Sequence, residues 1–376
     1  MASSIPPQDG SSQGRETQSA YSNRPAVSSD ELLPPIEPPS AGFILQLFVI
    51  PLLIVTAVLL VGYLVVSMAS TGEQDPERIV AALRSSNQAR FQRAKDLADM
   101  LRLPERYPGL KTNRELAQKL ADYMNDLVKE GDPSDSEVAM RFVVARALGD
   151  FNVSEGLSAL INAALNDPER DVRRQAVNAI AVHAGSMADL KQPLASDDLT
   201  EALLQLADDE DELIRSETTF ALGVVATNPA ADPRLVEKLE ELADDPYTDA
   251  RFNAAAWLAR IGNPRAVEGV AEMLDPESIE ASISGEKAMS EAVSDQAVAA
   301  TKAFKRKVLI TNALKAIDDL LAAKSLPPEG VATLEQALER FIAALPEMGF
   351  SERVQDELLA AAERMLEKVK GRKDSP

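Results

Sequence analysis

Between Asp132 and Asp275 apolar positions recur with a helical period, and one such stretch returns four times. Set on Arg141, Arg173, Arg215 and Arg251, the stretches read RFVVARALGDF, RRQAVNAIAVH, RSETTFALGVV and RFNAAAWLARI. The arginines are 32, 42 and 36 residues apart, a range in which self-similarity marks a solenoid whose units bury their apolar faces only by stacking. One residue before each arginine stand Met140, Val172, Ile214 and Ala250; seven after it stand Leu148, Ile180, Leu222 and Leu258. Val144, Ala176, Thr218 and Ala254 lie at offset three, and Ala147, Ala179, Ala221 and Trp257 at offset six. Offsets of minus one, three, six, seven and ten share one helical face, which predicts the core stripe. Another amphipathic segment precedes each of the last three arginine turns (LSALINAAL, TEALLQLA, LVEKLEELA), and AVEGVAEML follows the fourth. Each unit therefore reads as helix A, a tight turn and helix B.

The segments DPERDVRRQAVNAI, DEDELIRSETTFAL and DPYTDARFNAAAWL, with SDSEVAMRFVVARAL as a divergent copy, resemble HEAT repeats, specifically the short PBS-lyase-like subclass. The resemblance covers the middle third of the chain and implies an all-α solenoid. It further implies a ladder between units, in which turn aspartates and helix B arginines pair. Carried onto this chain, those are Asp167, Asp209 and Asp245 with Arg173, Arg215 and Arg251. Such arrays serve many roles, so the resemblance speaks to architecture rather than activity.

Outside the array the pattern changes. Residues 1–41 are rich in Ser, Pro, Gln and Gly, the composition of a disordered tether or of a proline-recognition ligand. Residues 42–67 (GFILQLFVIPLLIVTAVLLVGYLVVS) carry no charge. At about 1.5 Å per residue they span a bilayer core of about 30 Å, which predicts one uncleaved transmembrane helix that Pro51 can kink. Arg24 precedes that helix while Arg78, Arg84 and Arg90 follow it, so the positive-inside rule puts the large domain in the cytoplasm. A short linker is expected near Thr71 to Gln74. Residues 75–131 read as a helical cap or degenerate first repeat, with Asp75 capping a helix whose first residue is Pro76. The loop AGSMADLKQPLASDD accounts for the 42-residue spacing. Residues 276–303 read as a polar insertion and residues 304–370 as a carboxyl-terminal repeat and cap. Within the latter, helices are predicted at Lys307–Leu321, Glu329–Leu345 and Ser351–Val369, with GRKDSP frayed.

Charge narrows the function classes. With 39 basic and 60 acidic residues the chain has a net charge of −21, which opposes nucleic-acid binding and adhesion to anionic lipid. The chain has no cysteine and one histidine, so lipoprotein processing and histidine metal sites are excluded, and no cofactor is called for. His183 falls at offset ten, with Phe151, Val225 and Ile261, which is a core position; a ligand role is the alternative. The run Asp208 to Glu212 lacks the glycine and ligand alternation of a calcium loop. Trp257 replaces an alanine, either to fill the core locally or to anchor a partner. Lys302, Lys305, Arg306 and Lys307 form the most basic cluster, read as a solvated helix face or as a phospholipid contact.

These features describe a non-enzymatic, single-pass, membrane-anchored scaffold that holds another protein. The outward side of helix B, taken by offset as Arg174, Gln175, Asn178, Ser216, Glu217, Phe220, Phe252, Asn253 and Arg260, is its expected contact face. From another class comes a bilin lyase or isomerase-like assembly factor, a role of some PBS-lyase-like proteins, for which no residue here supplies a recognisable site. A mechanical spacer is the third reading.

Overall fold

The computed structural model describes residues 42, 45–73, 76–85, 89–284, 295–323 and 326–373. The expected tail at 1–41, the Asp75 cap and the last three residues lie outside them. By its contacts the chain divides into two compact units, Met1–Met68 and Ala69–Pro376.

In the first unit, a π-helical turn at Leu45–Val49 leads into α1 (Ile50–Glu73). Pro51, which has no N–H to donate, is the second residue of α1 and directly follows the π-helical turn. Leu45–Leu64 is long and apolar enough to cross a membrane, with mean hydropathy 2.7 and none of its window buried. The Thr56 hydroxyl donates to the Leu52 carbonyl at 2.8 Å, so the helix satisfies this polar group by itself. Helical backbone continues to Glu73, which replaces most of the linker expected at Thr71 to Gln74.

The second unit has no strand among the described residues, and its helices alternate between two rows. Row A comprises α2 (Pro76–Leu83), α4 (Arg114–Glu130), α6 (Leu157–Asn166), α8 (Asp197–Ala207), α10 (Arg234–Leu242), α12 (Ala266–Glu272) and α15 (Pro328–Ala344). Row B comprises α3 (Ala89–Leu101), α5 (Asp135–Gly149), α7 (Arg170–Asp189), α9 (Glu212–Ala226), α11 (Thr248–Arg260), α14 (Asp295–Ala322) and α16 (Glu352–Lys373). Consecutive row B helices pack side by side along the whole unit, each backed by its row A partner. A short α13 (Pro276–Ser284) sits between α12 and α14.

The predicted stripe is the seam between the rows. All residues at offsets minus one, three and seven are buried to within 1%, and so are Phe151 and His183 at offset ten. A second buried set, at offset eight, is made of small residues: Gly149, Ala181, Gly223 and Ala259. These let row B helices approach each other. A β-carbon on Gly149 would lie 2.8 Å from the Ala179 carbonyl oxygen of α7, and one on Gly223 would fall inside the Trp257 ring of α11.

Local signals set the helix ends. Asn113 accepts from Leu116 N–H at 3.0 Å and Ser196 from Leu199 N–H at 3.1 Å, while Gly131 closes α4 at φ 59°. The segment expected as a polar insertion instead carries α13 and the first turns of α14. Ile279 and Ile283 are buried and give α13 an apolar edge, and the alanine-rich approach to Lys307 favours continuous helix. The helix expected at Lys307–Leu321 is thus the second half of a 28-residue helix.

Candidate interaction face and repeat ladder

Each repeat arginine first closes its own turn. Nη1 of Arg173, Arg215 and Arg251 donates to the carbonyls of Asp167, Asp209 and Asp245 at 3.1, 3.0 and 2.8 Å, and Arg141 reaches the Asp132 carbonyl at 2.8 Å. The rest of the guanidinium reaches forward. Arg141 pairs with Asp167 at 2.9 Å, both side chains wholly buried, and Arg215 grips Asp245 with two bonds of 2.8 and 3.0 Å. Arg251, with no further turn aspartate, takes Glu272 at 2.5 Å. No ion pair joins Arg173 to Asp209 among the described residues. Pairing therefore runs forward to a carboxylate of the following unit from Arg141, Arg215 and Arg251, and the step from Arg173 is left without a rung.

The carboxyls respond in opposite directions. Burial pushes Asp167 up from its ordinary value, against the Glu169 N–H and Arg141, which hold it back. Burial also pushes Asp245 up, but the Arg215 bonds and the Tyr247 N–H outweigh it and its pKa is lowered. His183 donates Nδ1–H to the Phe151 carbonyl at 2.9 Å, and burial lowers its pKa, so it is a neutral core residue.

On the outward side of row B, offset one faces offset two of the next helix. Arg174 bonds Glu217 at 3.1 Å, and Asn253 donates to the Ser216 carbonyl at 3.1 Å. Gln175 is half-buried beside this seam, and Asn178 and Phe220 are exposed. Phe220 meets Trp257 edge-on with centroids 5.4 Å apart, and the Arg260 guanidinium lies 5.2 Å above the Trp257 ring. Phe252 corrects the expectation. It is 3% exposed, because offset one in α11 points at the flank covered by α14.

Phe142, Val182, Phe304 and Val308 were not reached from the sequence. All four are exposed, Phe304 at 69%, and all lie on row B helices. From α3 onward, every exposed large hydrophobic residue among the described ones is on row B or in the loop after a row B helix; none is on row A. Charge is divided the same way. From α4 to α15, row A carries fifteen acidic and six basic side chains, while row B from α5 to α14 carries ten acidic and thirteen basic. The signal was available as apolar residues outside the core offsets, but only the packing shows that these residues share a side.

The basic cluster is largely consumed inside the fold: Lys305 pairs with Asp249 at 3.4 Å, Arg306 with Glu280 at 2.5 Å and Lys307 with Glu357 at 2.9 Å. The acidic run likewise builds a turn, in which Asp211 caps Leu213 N–H at 2.8 Å and Asp208 takes Lys238 at 3.1 Å. A hollow of about 840 Å³ lies elsewhere, between α2 and α3, with Arg78, Arg93, Asp96 and Asp99 among its walls. No group of three acidic or histidine side chains able to hold a metal occurs among the described residues.

Two rows of antiparallel helix pairs, joined unit to unit by an arginine–carboxylate ladder, define an α-solenoid. Over residues 200–284 the chain matches the family model for HEAT repeats, and its fold is a solenoid of HEAT-like helical repeats. Among solved structures it is similar to YibA of Escherichia coli (18% identity, 76% of this chain and 98% of that one, TM-score 0.33). Others are human deoxyhypusine hydroxylase (19%, 80% and 98%, TM-score 0.31) and a designed armadillo repeat protein (18%, 78% and 100%, TM-score 0.29). No curated protein matches its sequence.

Proposed function

We propose that the protein is a membrane-anchored scaffold that holds a partner protein against the outward side of row B. The supporting observation is the confinement of exposed apolar side chains to that row, together with the acidic excess of row A. Exposed hydrophobic surface gathered on one side is costly in water and marks a contact site, whereas a spacer has no need to segregate it. The uncharged Leu45–Leu64 helix, exposed along its length, supports the anchor. Photocrosslinking residues placed in cells at Asn178, Glu217 and Phe220, with a control on α10 at Glu237, test the reading. A partner captured from the row B positions and not from Glu237 is the expected result. Equal capture from both rows, or none, returns the chain to a spacer.

A further inference from the structure

The outward side of row B is not uniform. At the junction of α9, α11 and α14 it opens into a hollow of about 150 Å³, whose walls include Phe220, Trp257, Arg260, Asn312, Lys315 and Asp319. Two of its walls are aromatic, with Phe220 edge-on to Trp257. Two cations stand at its rim, and Asp319 is the one carboxylate among its lining residues. The hollow is open to solvent and its lining is about half polar and half apolar; a volume of about 150 Å³ is room for a single large side chain with polar groups beside it.

The approach to the hollow is apolar. On α14, Ala297, Thr301, Phe304, Val308, Asn312 and Lys315 fall within one narrow helical stripe, and all six are exposed. The stripe runs from alanine through Phe304 and Val308 to the amide and the lysine at the rim. No acidic residue lies on α14 between Asp295 and Asp318, while five basic ones do. Three of those five, Lys305, Arg306 and Lys307, are paired with Asp249, Glu280 and Glu357, so in a chain of net charge −21 it is Lys315, with Arg260, that offers positive charge to an acidic segment at the rim.

We propose that this junction receives an acidic, apolar-anchored segment of the partner protein. One aliphatic or aromatic side chain enters beside Trp257, carboxylates next to it meet Arg260 and Lys315, and further apolar residues lie along Phe304 and Val308. The inference rests on the scaffold reading and adds the chemistry of what is held. Trp257 supplies a large, rigid contact at little entropic cost, and Arg260 is held in place by its ring, so the charged rim is preorganised.

The test is to pan a phage-displayed library of random dodecapeptides on the detergent-solubilised full chain, then to titrate the most enriched peptide by fluorescence anisotropy. The expected peptides carry net negative charge and at least one large apolar residue. They lose at least tenfold in affinity on the R260E/K315E variant, whose helical circular dichroism should match that of the parent. Enrichment of neutral or basic peptides, or no enrichment over phage without an insert, overturns the proposal. Peptides that bind R260E/K315E unchanged but are lost on V182D overturn the hollow and leave the row B reading standing. Peptides indifferent to both variants overturn the row B reading itself.

Discussion

Two rungs of the ladder use the same residue types at the same positions, yet they sit in different surroundings. Between α5 and α7, Arg141 and Asp167 are wholly enclosed; between α9 and α11, Arg215 and Asp245 keep 15% and 6% of their side-chain surface in water. In the first, burial dominates and raises the aspartate pKa; in the second, the paired bonds win and lower it. At these two rungs the same groups meet, but their access to solvent decides whether the meeting adds stability. An enclosed pair orders the stack at a desolvation cost, and a half-open one also strengthens it.

The largest effect should come from the enclosed rung. Arg141→Met strands Asp167 as a buried anion and frees the Asp132 carbonyl, with an expected loss of about 3–5 kcal/mol in urea unfolding. Arg141→Met combined with Asp167→Leu should recover most of that loss, since an apolar pair of similar volume removes both charges. A double variant as weak as the single one would show that the rung supplies stability and not only order.

Asp245→Asn should cost about 1.5–3 kcal/mol near neutral pH, the range for hydrogen bonds to charged groups. Its pH dependence carries a sign. Because the folded pKa is lowered, the Asp245 contribution is present above the ordinary carboxylate value of 3.8 and is lost as pH falls through the folded value. The gap between parent and Asp245→Asn in thermal melts should therefore close in that acid range. Asp167 runs the other way: its raised pKa gives a contribution present below 3.8 and lost as pH rises through the folded value. A gap for Asp245→Asn that stays constant down to pH 2.5 would break the contrast.

The smallest effect belongs to Arg173, whose recorded bonds go to the Asp167 and Pro168 carbonyls of its own turn. Arg173→Ala should cost about 0.5–1.5 kcal/mol. A loss equal to that of Arg141→Met would mean that a full rung forms there in solution.

Most of the architecture was legible because a solenoid repeats its own solution. Four registered arginines located the turns, and the offsets around them located the seam, including the burial of His183. The partners of those arginines were less legible: Arg141 lay outside the aspartate set carried over from the resemblance, yet it forms the most enclosed rung. Row B's outward side was harder still. Phe252 and Phe142 share offset one, yet Phe252 is buried on a helix whose next row B neighbour is α14, more than 40 residues further along the chain, while Phe142 stays exposed on a helix whose next neighbour is α7. Burial at such positions depends on which helix comes next, and the periodicity of one helix does not contain that.

The contact between Gly223 and Trp257 has one more consequence. Trp257 is the only tryptophan in the chain, it is partly open to water, and its indole is pinned between Phe220, Gly223 and Arg260 at the mouth of the hollow. The protein therefore carries its own unlabelled optical gauge. Ultraviolet emission from a single ring reports whether this spot is wet or covered, with no other indole in the background.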